Sequence, residues 1–128
     1  MREIKFRGKS LKTGKWLYGD LIQNKTFNKY AIVPQDNDWH DYPLFEVDIK
    51  TVGQFTGLKD KNGKDIYEGD KVRDKYGFVK EVRYYLPFGG FAAFSIAHNP
   101  ERELHVQLDQ QRHQFEVIGN IYEAEETK

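Results

Sequence analysis

The pair Asn62-Gly63 constrains the fold of this chain more than any other feature of its sequence. Both residue types accept the positive φ angles that a type I′ turn requires, so the pair is a strong short-range signal for a β-hairpin. The arms around it carry apolar side chains: Val52, Phe55 and Leu58 before the pair, Ile66 and Tyr67 after it. We therefore predict a hairpin over residues 52–67, with Asn62 and Gly63 as structural turn residues.

Similar patterns predict a β-rich N-terminal half. Residues 2–22 are expected to form a hairpin around the turn Lys12-Thr13-Gly14-Lys15, because glycine readily adopts a positive φ. On its first strand, Ile4 and Phe6 alternate with Lys5 and Arg7, so the apolar pair is expected to face the core. The run Tyr30–Val33 predicts a third strand that Pro34 ends. Asp48 is expected to cap a single helical turn through Lys50.

The second half resembles a small barrel of the SH3 type. A tight turn at Gly69-Asp70 begins a strand ending at Val72, and these two residues are predicted structural turn residues. Further strands are predicted near 79–86, 91–96 (central, because it is apolar on both faces) and 115–122, with Gly119 marking either a bulge or a close backbone approach. Residues 99–113 fit a helix start at Asn99-Pro100-Glu101 and a strand equally well. The predicted class is mainly β (β-rich α+β): a hairpin-based subdomain 1–65 packed with an SH3-like barrel 66–123, then a tail 124–128.

Composition limits where and how such a chain acts. Its 128 residues contain no cysteine, which excludes disulfides and thiolate zinc sites. No apolar run resembles a signal peptide or approaches the roughly 18 residues of a membrane span. We therefore expect a cytoplasmic protein that does not contact membranes. Its formal net charge is zero, although residues 1–29 carry eight Lys or Arg against two acids.

Three segments together resemble one protein family. They are the start Met1–Arg7 with Trp16 and Tyr18-Gly19-Asp20, the stretch 52–72, and VIGNIYE at 117–123. These three segments resemble those of the YopX-like proteins of bacteriophages and prophages. The resemblance implies a small β-rich phage or prophage accessory protein of undetermined biochemical role, with an SH3-like barrel in its C-terminal half. It implies no reaction, cofactor or catalytic residue.

The residues themselves give little support for catalysis or metal binding. Neither serine, Ser10 or Ser95, lies in a G-x-S-x-G motif, and no cysteine is present as a nucleophile. The loop 36–41 gathers four candidate metal ligands, Asp36, Asp38, His40 and Asp41, but without a recognised zinc spacing. We expect no enzyme activity, no cofactor and no metal, while metal binding by this acidic loop stays open.

Nucleic-acid binding is the alternative function that the sequence suggests. Basic residues, which neutralise phosphates, cluster in the first hairpin and after the Gly-Asp turn. The candidates are Lys5, Arg7, Lys12, Lys15, Lys71 and Arg73. The neutral net charge argues against a general nucleic-acid binder, which usually carries a basic field.

Protein interaction is the leading functional hypothesis, including self-association. Small β-barrels present edge strands and aromatic grooves that suit peptide docking. Trp39 and Tyr42 are aromatic anchors in an otherwise polar loop. Phe88 and Phe91 lie in the most apolar stretch, residues 86–96, which would be a contact patch if exposed and a central strand if buried.

Overall fold

Antiparallel β-structure dominates the computed structural model, which describes residues 3–35, 44–95, 105–107 and 114–123. Strands account for 58% of the residues that the structure describes, which confirms the mainly β class. Helical structure in the described ranges is confined to short 3-10 turns, including Ile49–Thr51 and Leu86–Phe88. The first of these is the helical turn predicted after Asp48, whose carboxylate accepts a hydrogen bond from the Lys50 amide at 3.1 Å.

The first sheet contains six strands in the order β4-β3-β2-β1-β5-β6. Their bounds are Phe6–Lys9 (β1), Trp16–Asn24 (β2), Lys29–Pro34 (β3), Phe45–Val47 (β4), Gly53–Lys59 (β5) and Asp65–Tyr67 (β6). Past the end of β1, Ser10 forms a bridge with Val47 of β4. Gly8 permits this approach, because a Cβ there would lie 3.0 Å from the Val47 side chain. The predicted hairpins and the third strand are present.

The second sheet contains five strands in the order β10-β9-β8-β7-β11. Their bounds are Asp70–Arg73 (β7), Val79–Tyr85 (β8), Gly90–Ser95 (β9), His105–Gln107 (β10) and Glu116–Asn120 (β11). The pairings found among the described residues leave this sheet open, so the predicted barrel is not closed. The expected bulge lies between Val117 and Gly119. Of the ambiguous segment 99–113, residues 105–107 form a strand, and the rest lies outside the described ranges.

The chain divides into two compact units, Met1–Phe55 and Thr56–Lys128. It passes from one unit to the next within β5, ten residues before the boundary at 65/66 that the sequence suggests. In the first unit, Ile32 and Val47 are fully buried. The second unit has a core to which β6, β7, β8 and β9 each contribute one buried residue and to which the residue before β11 is added: Ile66, Val72, Val82, Ala93 and Phe115, with Leu58, Phe91 and Val117 packed against it. Burial of such side chains is the main stabilising contribution in a sheet of this kind.

Both sheets repeat one strand plan: β5 returns to pair with β1 in the first sheet, and β11 returns to pair with β7 in the second. In the first unit Gly53 and Gln54 of β5 face Arg7 and Phe6 of β1. In the second, Gly119 and Asn120 of β11 face Lys71 and Asp70 of β7. The next amide donates to the equivalent carbonyl in both: Phe55 to Lys5 at 2.9 Å and Ile121 to Gly69 at 3.0 Å.

The turn at Asn62-Gly63 differs from its predicted type. Gly63 has φ 84°, but among described residues other than glycine a positive φ occurs only at Asn28, so a type I′ turn is wrong. The reason is the nearby Asp60 carboxylate, which accepts the amides of Asn62 at 2.8 Å and Lys64 at 2.9 Å. A side chain, rather than an intrinsic turn preference, therefore fixes the loop.

The Gly69-Asp70 turn is also fixed by a carboxylate. Asp70 is 1% exposed, and its Oδ2 accepts the amide of Tyr67, three residues before it, at 2.7 Å. Gly69 has φ 92°, and a Cβ at this position would lie 2.7 Å from the ring of Tyr122. Glycine is therefore required here by both conformation and space.

Candidate functional site

Cationic side chains of β1 and of the residue before it lie against aromatic rings of the neighbouring strands β2 and β5. The Arg7 guanidinium lies 4.8 Å from the centre of the Trp16 ring, and the Lys9 ammonium lies 5.5 Å from it. Lys5 lies 4.8 Å from the Phe55 ring centre. The pairing explains the contact, since Lys9 faces Trp16 directly in the β1–β2 register. These distances are typical of cation–π interactions, which stabilise a sheet surface.

Burial removes part of this group from the predicted nucleic-acid surface. Arg7 is 5% exposed, while Ile4 is 51% exposed, so the expected inward and outward faces at the start of β1 are wrong for these two residues. The stacking of the Arg7 guanidinium on Trp16 explains how a cation is accommodated in a buried position. Lys5, with its side chain 18% exposed, also forms an ion pair with Glu3 at 3.5 Å. Both residues are engaged in contacts within the unit.

Lys12 and Lys15 are exposed in the turn between β1 and β2. The Ser10 hydroxyl accepts the amides of Lys12 and Thr13, each at 3.2 Å, and thereby holds the turn. Leu11 in the same turn is 59% exposed. The two lysines are accessible to a partner, but they lie apart from the buried Arg7.

Lys71 and Arg73 lie on β7 among acidic neighbours. Lys71 pairs in register with Glu81, and Arg73 forms an ion pair with Glu116 at 3.8 Å. Arg83 and Glu81 form a further ion pair at 3.4 Å. Since opposite charges alternate across these strands, this face carries little net positive potential.

A turn that the sequence did not single out presents the most exposed aromatic pair described in this unit. We call residues 74–78, between β7 and β8, the aromatic turn. Tyr76 and Phe78 are 72% and 65% exposed. Asp74 Oδ1 accepts both of their amides at 2.9 Å, and Asp74 Oδ2 lies 3.5 Å from the Lys80 ammonium. Gly77 has φ 89°, as a turn glycine would. The sequence signal for this turn is the pair Asp74 and Gly77, three residues apart, with one aromatic residue on each side of the glycine.

The predicted partner-binding aromatics fall in different places. Phe91 is partly buried, packs against the core of the second unit, and contacts Tyr84 edge-to-face at 5.6 Å between ring centres. Trp39 and Tyr42 lie outside the described residues. Phe88 belongs to a 3-10 helix, and its side chain is outside the described part of the structure. Its neighbour Leu86 is 78% exposed.

A second protruding hairpin tip joins β2 to β3. We call residues 24–29 the Phe27 tip. Phe27 is 70% exposed, and its amide donates to the Asn24 side chain at 3.2 Å. Asn28 adopts a positive φ of 53° and donates its amide to the Lys25 carbonyl at 3.3 Å. The exposed residues Lys25 and Lys29 flank the ring in sequence.

Two further properties of the described residues concern metal ligation and membrane spanning. They contain no group of three or more His, Cys, Asp or Glu side chains arranged to hold a metal ion. The acidic loop with Asp36, Asp38, His40 and Asp41 lies outside them. Within the same ranges, no helix is long and apolar enough to cross a membrane.

Comparisons with known proteins agree with the resemblance of the sequence. The search of curated proteins finds no match. The family model described as YopX protein matches residues 5–127 and so covers both compact units. The chain belongs to the YopX protein family.

Proposed function

We propose that this chain is a non-enzymatic protein-interaction module of a phage or prophage, acts in the cytoplasm, and binds a protein partner through the aromatic turn. The observation that carries the proposal is the exposure of Tyr76 and Phe78, at 72% and 65%, on a turn whose amides are held by one carboxylate. Aromatic side chains are enriched at the centres of protein interfaces, where a few of them supply most of the binding energy.

The geometry of the turn lowers the free-energy cost of binding. Burying a large apolar side chain contributes about 1.5–3 kcal/mol, whereas immobilising a side chain costs about 0.5–1.5 kcal/mol. The backbone that carries Tyr76 and Phe78 is already ordered by Asp74. A partner therefore has to order little more than the two rings themselves.

Charge indicates what kind of partner surface fits. The Lys75 ammonium lies 5.1 Å from the centre of the Tyr76 ring and gives the turn a positive charge. The Asp74 carboxylate is offset by Lys80 at 3.5 Å. An apolar pocket with carboxylates at its rim is complementary to this arrangement.

A nucleic-acid partner for the residues first suggested by the sequence is less favoured. Arg7 is buried, Lys5 is paired with Glu3, and Arg73 is paired with Glu116. Few of those cations are therefore available to phosphates without breaking an existing contact.

The test compares the tagged wild-type protein with the double variant Tyr76→Ser/Phe78→Ser in affinity capture from prophage-carrying cells, after nuclease treatment. We expect a stoichiometric protein with the wild type and its loss with the double variant. The matched control is Leu86→Ser, because Leu86 is as exposed (78%) but lies outside the turn. With the purified partner, each substitution in the turn is expected to weaken affinity about tenfold or more.

Folding is monitored in parallel through the melting temperature. Substitutions at exposed positions usually change stability by about 0.5 kcal/mol or less, so all variants should melt like the wild type. Capture of the same protein by the wild type and the double variant, or capture that nuclease abolishes, would contradict the proposal.

A further inference from the structure

The Phe27 tip combines an exposed ring with two lysines that form no ion pair among the described residues. Lys25 and Lys29 are exposed, and neither side chain forms an ion pair with any other described residue. The segment from Leu21 to Tyr30 contains no acidic residue. In this respect it differs from β7 in the second unit, where Glu81 and Glu116 oppose the basic side chains.

We propose that the Phe27 tip binds single-stranded nucleic acid, with one base stacked on the Phe27 ring and neighbouring phosphates bound by Lys25 and Lys29. Proteins that bind single strands without sequence preference combine aromatic platforms with basic side chains that follow the backbone. Because every base has a π face, one ring accepts any of the four bases. This site lies in the first unit and is independent of the aromatic turn.

The tip is ordered before it binds, which favours stacking. The Asn24 side chain accepts the Phe27 amide at 3.2 Å, and the Asn28 amide donates to the Lys25 carbonyl at 3.3 Å. These bonds fix the backbone on both sides of the ring. Phe27 is 70% exposed, so its ring is open to a base.

A nucleic-acid strand fits the tip better than a lipid surface does. Phe27 is the one large apolar residue between residues 24 and 29, and stable attachment to a membrane requires more buried apolar area or a second anchor. Stacking needs only one ring. Lys25 and Lys29 supply two positive charges, which can neutralise two neighbouring phosphates of the strand.

The test measures binding of a short fluorescein-labelled oligothymidine by fluorescence anisotropy at increasing salt, using the whole chain. We expect binding at low salt that weakens as salt increases. Phe27→Leu keeps an apolar side chain but removes the aromatic face, and it should weaken binding about five- to hundredfold, the range for loss of one stacked base. Phe27→Tyr keeps the aromatic face and should bind like the wild type.

The lysines are tested through the salt dependence. Each phosphate contact with a single strand contributes about 0.7 to the slope of log affinity against log salt. Lys25→Gln with Lys29→Gln should therefore reduce that slope by about 1.4. The variant Tyr76→Ser/Phe78→Ser should bind the oligonucleotide like the wild type, so a failure here is distinct from a failure of the aromatic turn.

Three results would overturn the proposal. The first is no binding of the oligonucleotide at low salt. The second is equal binding by wild type and Phe27→Leu, which would mean that only nonspecific charge attraction exists. The third is Phe27-dependent binding to phosphatidylserine vesicles without binding to the oligonucleotide. Far-UV circular dichroism of each variant checks that the fold is retained.

Discussion

At the scale of single residues, two glycines share a backbone conformation but differ in their surroundings. Gly63 and Gly69 have φ angles of 84° and 92°. A Cβ at Gly63 would meet nothing within 4 Å, whereas a Cβ at Gly69 would lie 2.7 Å from the Tyr122 ring. The first glycine is required by conformation alone and the second by conformation and packing.

This difference predicts two sizes of effect for the same substitution. Gly63→Ala should lower the free energy of unfolding by about 1–2 kcal/mol, the cost of a left-handed conformation. Gly69→Ala should cost a further 1–3 kcal/mol or so, because the methyl group displaces Tyr122. Urea denaturation measures both. Equal losses for the two variants would show that the contact with Tyr122 has no energetic consequence.

The same scale shows what a pattern of residue types can and cannot predict. Glycine positions were predictable, since few other residues adopt a positive φ. The burial of Arg7 was not, because alternation assigns a cation to the solvent side. Only the structure shows that Trp16 lies over its guanidinium. An aromatic ring of the neighbouring strand can stack on a cation and stabilise it in a buried position, so a rule based on polarity alone fails at Arg7.

At the scale of elements, the first hairpin of each sheet, β1–β2 and β7–β8, uses the same kind of turn. In the first unit the Ser10 hydroxyl accepts two amides of the turn, and in the second the Asp74 carboxylate does so. Both turns have a glycine of positive φ two residues before the next strand, Gly14 and Gly77. The strand positions were predictable from alternation and Gly14 from its turn, but the exposure of Tyr76 and Phe78 was not, because aromatic residues usually indicate core.

Replacing Asp74 tests whether its carboxylate orders the aromatic turn. Asp74→Ala should leave the amides of Tyr76 and Phe78 without their acceptor, so both should exchange with solvent faster. The free energy of local opening of the turn should fall by about 1–2 kcal/mol. Asp74→Ser should retain part of the protection, since Ser10 fills the equivalent role in the first unit. Hydrogen exchange by NMR measures this. Unchanged exchange in Asp74→Ala would show that the turn is ordered by other contacts.

At the scale of the whole molecule, one carboxylate joins segments far apart in sequence. Asp60 is 6% exposed, and its Oδ2 accepts the Val117 amide at 2.9 Å, across 57 residues. Burial raises the pKa of Asp60, but the hydrogen bonds from the amides of Val117, Lys64 and Asn62 outweigh it, so the pKa lies below its ordinary value of 3.8. The ionised carboxylate therefore stabilises the folded chain.

The direction of this pKa shift predicts an acid-sensitive stability. Because the folded pKa is lowered, the stabilisation is present above the unfolded pKa of about 3.9 and is lost as pH falls through the folded value. Asp60→Asn should cost about 1.5–3 kcal/mol at neutral pH, and the difference from wild type should shrink below about pH 4. Urea denaturation across pH measures both. A pH-independent difference would assign the loss to packing.

Glu46→Gln is the matched control for this measurement. Glu46 is exposed, and its substitution should leave stability nearly unchanged at every pH. A pH-dependent loss in this control would mean that the acid sensitivity arises elsewhere.

The large-scale organisation was partly predictable. The alternating apolar residues and the turn signals indicated a β-rich chain. The shared strand plan of the two sheets was not predictable, since β5 matches β1 and β11 matches β7 through backbone register rather than side-chain identity. The contact of Asp60 with residue 117 likewise depends on the fold.

The pairing of β5 with β1 and of β11 with β7 determines when each sheet can be completed during synthesis. β7 leaves the ribosome well before β11, and until residues 116–120 emerge, the edge of β7 that pairs with β11 has no partner strand. An unpaired edge is a template for association with other chains. Translation that stops between residues 74 and 115 therefore releases a chain with an open edge, whereas the first unit already has its own closing residues at 53–55 by that point.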